Sequence, residues 1–195
     1  MNKISEPVIR ELSPELVDDF LNFFDHDAFA DNPEWASCYC YWYLFPGTDQ
    51  EWETHTGSEN RAAMGDLIRR GEAHGFLAYL DGRPVGWCHA APRTVIRNVE
   101  RFTGAQADDA ERVGSIVCFV VAEPHRRQRI ARRLLEAACD SFRRRGLEFA
   151  EAYPRKNVET AAQHFPGPLE MYLEAGFTPV RELDRLTVVR KPLLG

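Results

Sequence analysis

No stretch of this 195-residue chain reaches eighteen consecutive apolar residues, so the sequence offers no membrane span. Its opening residues, Met1 to Pro7, contain no apolar signal-peptide core. A basic excess is missing too. The 24 Lys and Arg are outnumbered by 30 Asp and Glu, giving a net charge of −6, the opposite of the balance usual in nucleic-acid-binding domains. Five cysteines cannot all pair, and with no secretion signal beside them, reduced thiols in a cytoplasmic compartment are the expectation. Cys38-x-Cys40 falls outside the Cys-x₂₋₄-Cys spacing of common zinc sites. No second cysteine pair follows to join it with His26, His55, Cys88 or His89, so buried thiols and no metal are expected. Internal repeats and low-complexity linkers are also absent, and one mixed α/β domain over residues 1–195 follows.

What is present alternates between two periodicities. Val8 to Leu12 reads as a strand, and Ser13-Pro14-Glu15 opens a helix carrying Leu16, Phe20, Leu21 and Phe24 on one face. Residues 30–56 read as irregular and aromatic, ahead of a second helix from Ser58 to Arg70 with Gly71 beyond it. Phe76–Leu80 and Val85–Ala91 form a hairpin across Asp81-Gly82. Residues 92–111 read as a loop or short helix. Further on come a strand at Leu147–Tyr153, a loop around Pro154–Pro168, a helix at Leu169–Ala175 and closing strands at Thr178–Leu183 and Leu186–Arg190.

Between these lies the most informative passage. Ile116 to Val121 is an apolar strand without helical period, and Glu123-Pro124 makes a turn. Five arginines follow within the eight residues from Arg126 to Arg133. A helix then presents Ile130, Leu134, Leu135, Ala138 and Phe142 on one face and stops at Gly146. A strand that delivers the chain into a helix start aims several unpaired N–H groups at one spot, where the helix dipole also favours negative charge. The guest suited to such a spot is a phosphorylated small molecule.

Three pieces of the chain resemble the GNAT family of acyl-CoA-dependent N-acyltransferases. Arg126-Arg127-Gln128-Arg129-Ile130-Ala131 resembles the family's Arg/Gln-x-x-Gly-x-Gly/Ala pyrophosphate loop, with Arg129 in place of the central glycine. Met171-Tyr172-Leu173-Glu174-Ala175-Gly176-Phe177 resembles its late helix, and Gly75 to Trp87 its central hairpin. The resemblance covers roughly residues 75 to 181. It implies a mostly antiparallel central sheet of six to seven strands flanked by helices, splayed between the strand ending near Val121 and the one starting near Leu147. It implies acetyl-CoA as co-substrate, a small-molecule amine acceptor, direct attack in a ternary complex, and the homodimer common in the family. It also places the pantetheine arm along the backbone of Phe119, Val120 and Val121. A Cβ at Arg129 is expected to require ordinary helical φ and ψ there, with the side chain leaving the loop.

Acetyl transfer needs a proton for the departing thiolate and a means of deprotonating the amine, since an alkylamine is only about 0.1% neutral at pH 7. The resemblance puts Tyr172 where the family often has its acid; spacing alone equally suits a core tyrosine beside Phe177. Strand alternation puts Glu151 among Leu147, Phe149 and Tyr153, where apolar neighbours suit a base, or else at a solvated edge. Glu123 is the second candidate base, but beside the phosphate loop it more readily shapes the turn. Arg126 and Arg127 can reach phosphate, whereas Arg132 and Arg133 read as a solvated helix face. Trp35, Tyr39 and Trp42 fall where the family builds its acceptor pocket, and their rings suit an apolar or cationic guest or simply cap the core. The competing readings are a catalytically silent CoA-binding regulatory module and a basic targeting patch, the latter disfavoured by the overall acidity.

Overall fold

The computed structural model describes residues 6–104 and 107–194. Asp81 and Gly82 adopt φ of 49° and 78°, the left-handed pair that a two-residue hairpin requires. In chain order the elements are β1 (Val8–Glu11), α1 (Val17–His26), α2 (Asp49–Thr54), α3 (Gly57–Arg69), β2 (Phe76–Leu80), β3 (Arg83–Pro92) and α4 (Val99–Thr103). After these come β4 (Val113–Val121), α5 (Ile130–Arg144), β5 (Phe149–Ala152), α6 (Leu169–Glu174), β6 (Thr178–Glu182) and β7 (Thr187–Pro192). Among the described residues no helix is long and apolar enough to cross a membrane.

The seven strands form one open sheet in the order β1-β2-β3-β4-β5-β7-β6. Every neighbouring pair is antiparallel except β4 and β5. Parallel neighbours need a crossover connection, and α5 supplies it. The mixed, mostly antiparallel sheet expected from the sequence is the sheet observed.

Two differences from the expected elements have local causes. The stretch 30–56 is not wholly irregular, because Thr48 and Glu51 form a reciprocal capping box that starts α2. Thr56 and Glu59 do the same for α3, which therefore begins at Gly57. Both boxes are written in the sequence as Thr-x-x-Glu. β4 starts at Val113, ahead of the expected Ile116, because Gly114 and Ser115 extend the ladder despite low strand preference.

The sheet is covered on both faces. One face carries α1 and α3, with Phe20 edge-on to Trp87 at 4.9 Å between ring centres. The other carries α5 and α6, with Leu134, Phe142 and Tyr172 buried against it. Because β4 lies between the two layers, nearly all of it is buried, which explains its unbroken apolar run. Gly114 is where α5 comes closest: a Cβ there would stand 2.3 Å from the Phe142 ring.

A bulge interrupts β4. His89 pairs with Cys118 and Ala90 with Ile116, so Val117 is an extra residue. In consequence Val117 and Cys118 both join the core under α1 and α3, while Ile116 and Phe119 join the core under α5. The Tyr43 hydroxyl donates to the Val117 carbonyl at 2.9 Å and so ties the bulge to the aromatic segment.

Gly114→Ala is expected to lower the unfolding free energy by about 1–3 kcal/mol, because neither the Phe142 ring nor the strand backbone has room to yield. Urea denaturation measures this, and an unchanged midpoint would show that α5 lifts off the strand at little cost.

Candidate active site

Sheet pairing between β4 and β5 runs only from Val113↔Phe149 to Ile116↔Ala152. Beyond that point β4 continues to Val121 while β5 turns away, so the sheet is splayed where the family resemblance places it. The exposed backbone edge is partly claimed from within. The Phe119 N–H donates to the Phe165 carbonyl at 2.6 Å, and the Arg126 Nε donates to the Val121 carbonyl at 3.0 Å.

The turn beyond β4 is built from left-handed residues. Arg127 and Arg129 have φ of 61° and 62°, and Arg129 is the residue before the first turn of α5. The expected helical geometry at Arg129 is therefore not found. The chain keeps the conformation a glycine would prefer, with the Arg129 side chain exposed. Each left-handed non-glycine residue costs about 1–2 kcal/mol. In return, a left-handed residue followed by a helical one turns successive N–H groups toward a common point, an anion-binding nest. α2 and α3 satisfy their first N–H groups with side-chain caps, whereas the start of α5 has no side-chain cap.

A cleft of about 380 Å³ opens over this turn, bounded by Phe119 and Val121 on one side and Gly167 and Met171 on another. Arg126, Arg127, Arg129, Ile130 and Ala131 line it. Arg127 and Arg129 are exposed and make no ion pair among the described residues, so their charge is available to phosphate. Arg126 is committed elsewhere: its Nη1 and Nη2 donate to Asp31 at 2.5 and 2.9 Å, and this contact holds the Asp31 carboxyl below its ordinary range. Arg132 lines the cleft while pairing with Glu136 at 3.0 Å. Val120 does not reach the cleft, and the Gln128 amide donates to the Pro124 carbonyl at 3.1 Å. The residues present thus suit a diphosphate ester such as coenzyme A, while the Phe165 carbonyl occupies the Phe119 N–H.

On the opposite side of the β4 edge lies a second cavity, of about 470 Å³. Trp35, Trp42 and Trp52 are in its wall, with Phe165 5.7 Å from Trp35 between ring centres. The irregular backbone behind these rings is held by buried amides: Asn98 Nδ2 donates to the Phe45 carbonyl at 3.0 Å, and Asn60 Nδ2 to the Ser37 carbonyl at 2.9 Å. Tyr39 and Cys40 are consecutive left-handed residues, φ 46° and 53°, and this tight turn sets Cys38 and Cys40 into the wall beside Cys118. Burial pushes the Cys38 thiol up to about 12 and the Cys40 thiol well above its ordinary range, so both are neutral thiols. Tyr39 itself does not line the cavity, contrary to expectation. Its ring stacks on Phe24 at 5.8 Å and its hydroxyl donates to Asp25 at 2.8 Å.

Phe119, Val121, Arg126 and His164 line both cavities. Sequence reading left His164 inside a loop without a role; no local pattern marks it.

The expected acid and base sit differently from the sequence picture. Tyr172 is fully buried beside Phe177, its hydroxyl donating to the Pro166 carbonyl at 2.5 Å, and it lines neither cavity. Burial raises its pKa well above the ordinary value and keeps it protonated. Glu151 does not lie among apolar neighbours. Its carboxylate accepts from Arg93 Nη1, from Arg190 Nε and from the Tyr153 hydroxyl, the last at 2.7 Å. Arg190 continues the network to Asp109 at 2.6 Å. This buried, charge-paired cluster lines a separate cavity of about 410 Å³. His89 and Cys88, on the central hairpin, are both buried and line neither cavity. Burial pulls the His89 imidazole down to about 3, which leaves it neutral. Among the described residues no cluster of His, Cys, Asp and Glu has the arrangement of a metal site.

Arg129→Gly is expected to raise the unfolding free energy by about 0.5–1 kcal/mol, because relief of left-handed strain exceeds the added chain entropy. Arg129→Val is expected to lower it by about 1–3 kcal/mol. Equal destabilisation of the two in urea would show that the turn is not held in the left-handed form.

Residues 34–167 match the sequence model of the Acetyltransferase (GNAT) family. Among solved structures, an N-acetyltransferase from Staphylococcus aureus Mu50 aligns with 97% of this chain and 100% of its own, at 14% identity and a TM-score of 0.58. The PaiA N-acetyltransferase from Thermoplasma acidophilum, in complex with coenzyme A, aligns over 96% of this chain and 99% of its own, at 12% identity and a TM-score of 0.58. A GNAT-family acetyltransferase from Listeria monocytogenes 4b F2365 covers 95% of this chain and 94% of its own, at 13% identity and a TM-score of 0.59. No curated protein matches the sequence. At such identities the solved structures attest to a shared fold. The family match carries more, because its span takes in the aromatic wall, the parting strand and the uncapped helix start, and on that ground the chain belongs to the GNAT family of acetyltransferases.

Proposed function

We propose that residues 1–195 act as one catalytic domain that moves an acetyl group from acetyl-CoA to the primary amine of a small molecule, by direct attack within a ternary complex. The observation that carries this reading is the shared wall: Phe119, Val121, Arg126 and His164 border both the anion-binding cleft and the aromatic cavity. A thioester held from the cleft and an amine held in the cavity would meet at that wall. Proximity of this kind removes much of the entropic barrier to a two-substrate reaction.

In the step itself the neutral amine nitrogen attacks the thioester carbonyl, the new C–N bond forms, and the C–S bond breaks. One proton must leave the nitrogen and one must reach the sulfur. Glu151, whose carboxylate is clamped by two guanidinium groups, is assigned to the frame of the sheet. The proton acceptor assigned here is His164, whose side chain makes no ion pair among the described residues. Tyr172 is assigned as the proton donor to the thiolate. For that role its hydroxyl exchanges the Pro166 carbonyl for sulfur, as Phe165 yields the Phe119 N–H to the incoming pantetheine arm. Both exchanges involve the same short segment, so a single displacement would serve them.

His164→Ala is expected to lower kcat about a hundredfold and to be partly rescued by added imidazole. Tyr172→Phe is expected to lose about a hundredfold in kcat with the acetyl-CoA Kd within about twofold. Thiol release and calorimetry check both, and normal turnover in either variant would remove that residue from the mechanism. Tight acetyl-CoA binding without thiol release across an amine panel would instead favour a silent regulatory module.

A further inference from the structure

The charges around the aromatic cavity are unevenly balanced. Arg126 is neutralised by Asp31, and the thiols of Cys38 and Cys40 stay protonated. Glu34 is exposed at the cavity wall and has no ion-pair partner among the described residues. It stands next in sequence to Trp35. The rest of the wall is dominated by ring faces, with Trp42 and Phe102 approaching each other at 6.4 Å between centres.

We infer that the acceptor is a primary monoamine carried on an apolar, ring-sized body, its ammonium drawn in by Glu34 and its body packed between Trp35 and Trp42. The inference rests on the acetyl transfer proposed above and specifies its acceptor. Three physical points support it. A cation entering a ring-lined cavity is favoured by the negative faces of the indoles, most of all by tryptophan. A single carboxylate without a partner matches a single ammonium; a polyamine would bring further charges into an apolar space with nothing to pair them. An amino sugar would bury hydroxyl groups against carbon walls that offer few hydrogen-bond partners. Glu34 accounts for capture; the captured ammonium releases one proton to solvent to become the attacking amine, and His164, on the wall shared with the cofactor cleft, receives the second as the C–N bond forms.

The test is thiol release from acetyl-CoA by the full chain with 2-phenylethylamine and tryptamine, set against spermidine, glucosamine and a short peptide with a free N-terminus. The arylalkylamines are expected to exceed the other three in kcat/KM by about 50-fold or more. Glu34→Gln is expected to raise KM for 2-phenylethylamine about tenfold, with less than about a twofold fall in kcat and an unchanged melting temperature. Preference for spermidine, glucosamine or the peptide would overturn the acceptor class while leaving acetyl transfer intact, as would an unaltered KM in Glu34→Gln. Thiol release with none of the amines, despite acetyl-CoA binding in calorimetry, would overturn the transfer reading and this inference with it.

Discussion

The parting of β4 from β5 after Ile116 and Ala152 is the constraint on which the rest of the molecule turns. A buried strand edge with unmatched N–H and C=O groups is expensive, and proteins either pair such an edge or cover it. Here the edge is covered sparingly, by one carbonyl from Phe165 and one guanidinium from Arg126. That leaves a backbone ladder able to receive an extended amide-bearing arm, as a sheet receives an added strand. The cavities on either side of the same edge follow from the gap. β4 is buried on both faces up to the point where it parts from its neighbour, and only its end meets open space.

Strain and charge are concentrated around that gap. Two arginines and the Tyr39-Cys40 pair adopt left-handed backbone, and the bulge at Val117 places consecutive side chains on one face. Such conformations persist where surrounding packing over-determines them, and they collect at sites of function. Electrostatics sorts the arginines into two groups. Arg126, Arg93 and Arg190 are consumed in holding segments together, each by a carboxylate far away in sequence. Among the described residues Arg127 and Arg129 make no ion pair at the uncapped start of α5, where positive charge and orphan N–H groups reinforce one another.

Much of this was legible in the chain. The hairpin at Asp81-Gly82, the strand leading into the arginine-rich turn, and the amphipathic α5 were all marked by short-range signals. Even the overlooked α2 carried its own sign, the Thr48-x-x-Glu51 capping box. The site was less legible. Trp35 and Trp42 do line a cavity, but Tyr39, between them in sequence, faces the core because the left-handed turn rotates it away. Alternation correctly grouped Glu151 with Tyr153, but said nothing of Arg93, 58 residues away, or of Arg190 on the neighbouring strand.

By itself the sequence determined the order of strands and helices and the anion-seeking turn, because periodicity, capping and turn chemistry act over a few residues. Only the tertiary structure decided which charges are spent. Arg126 finds Asp31 across 95 residues, Phe165 comes to lie against Phe119, and His164 arrives on the wall between two cavities. Pairings of that kind depend on how the layers pack around a parted sheet, and no local pattern encodes them.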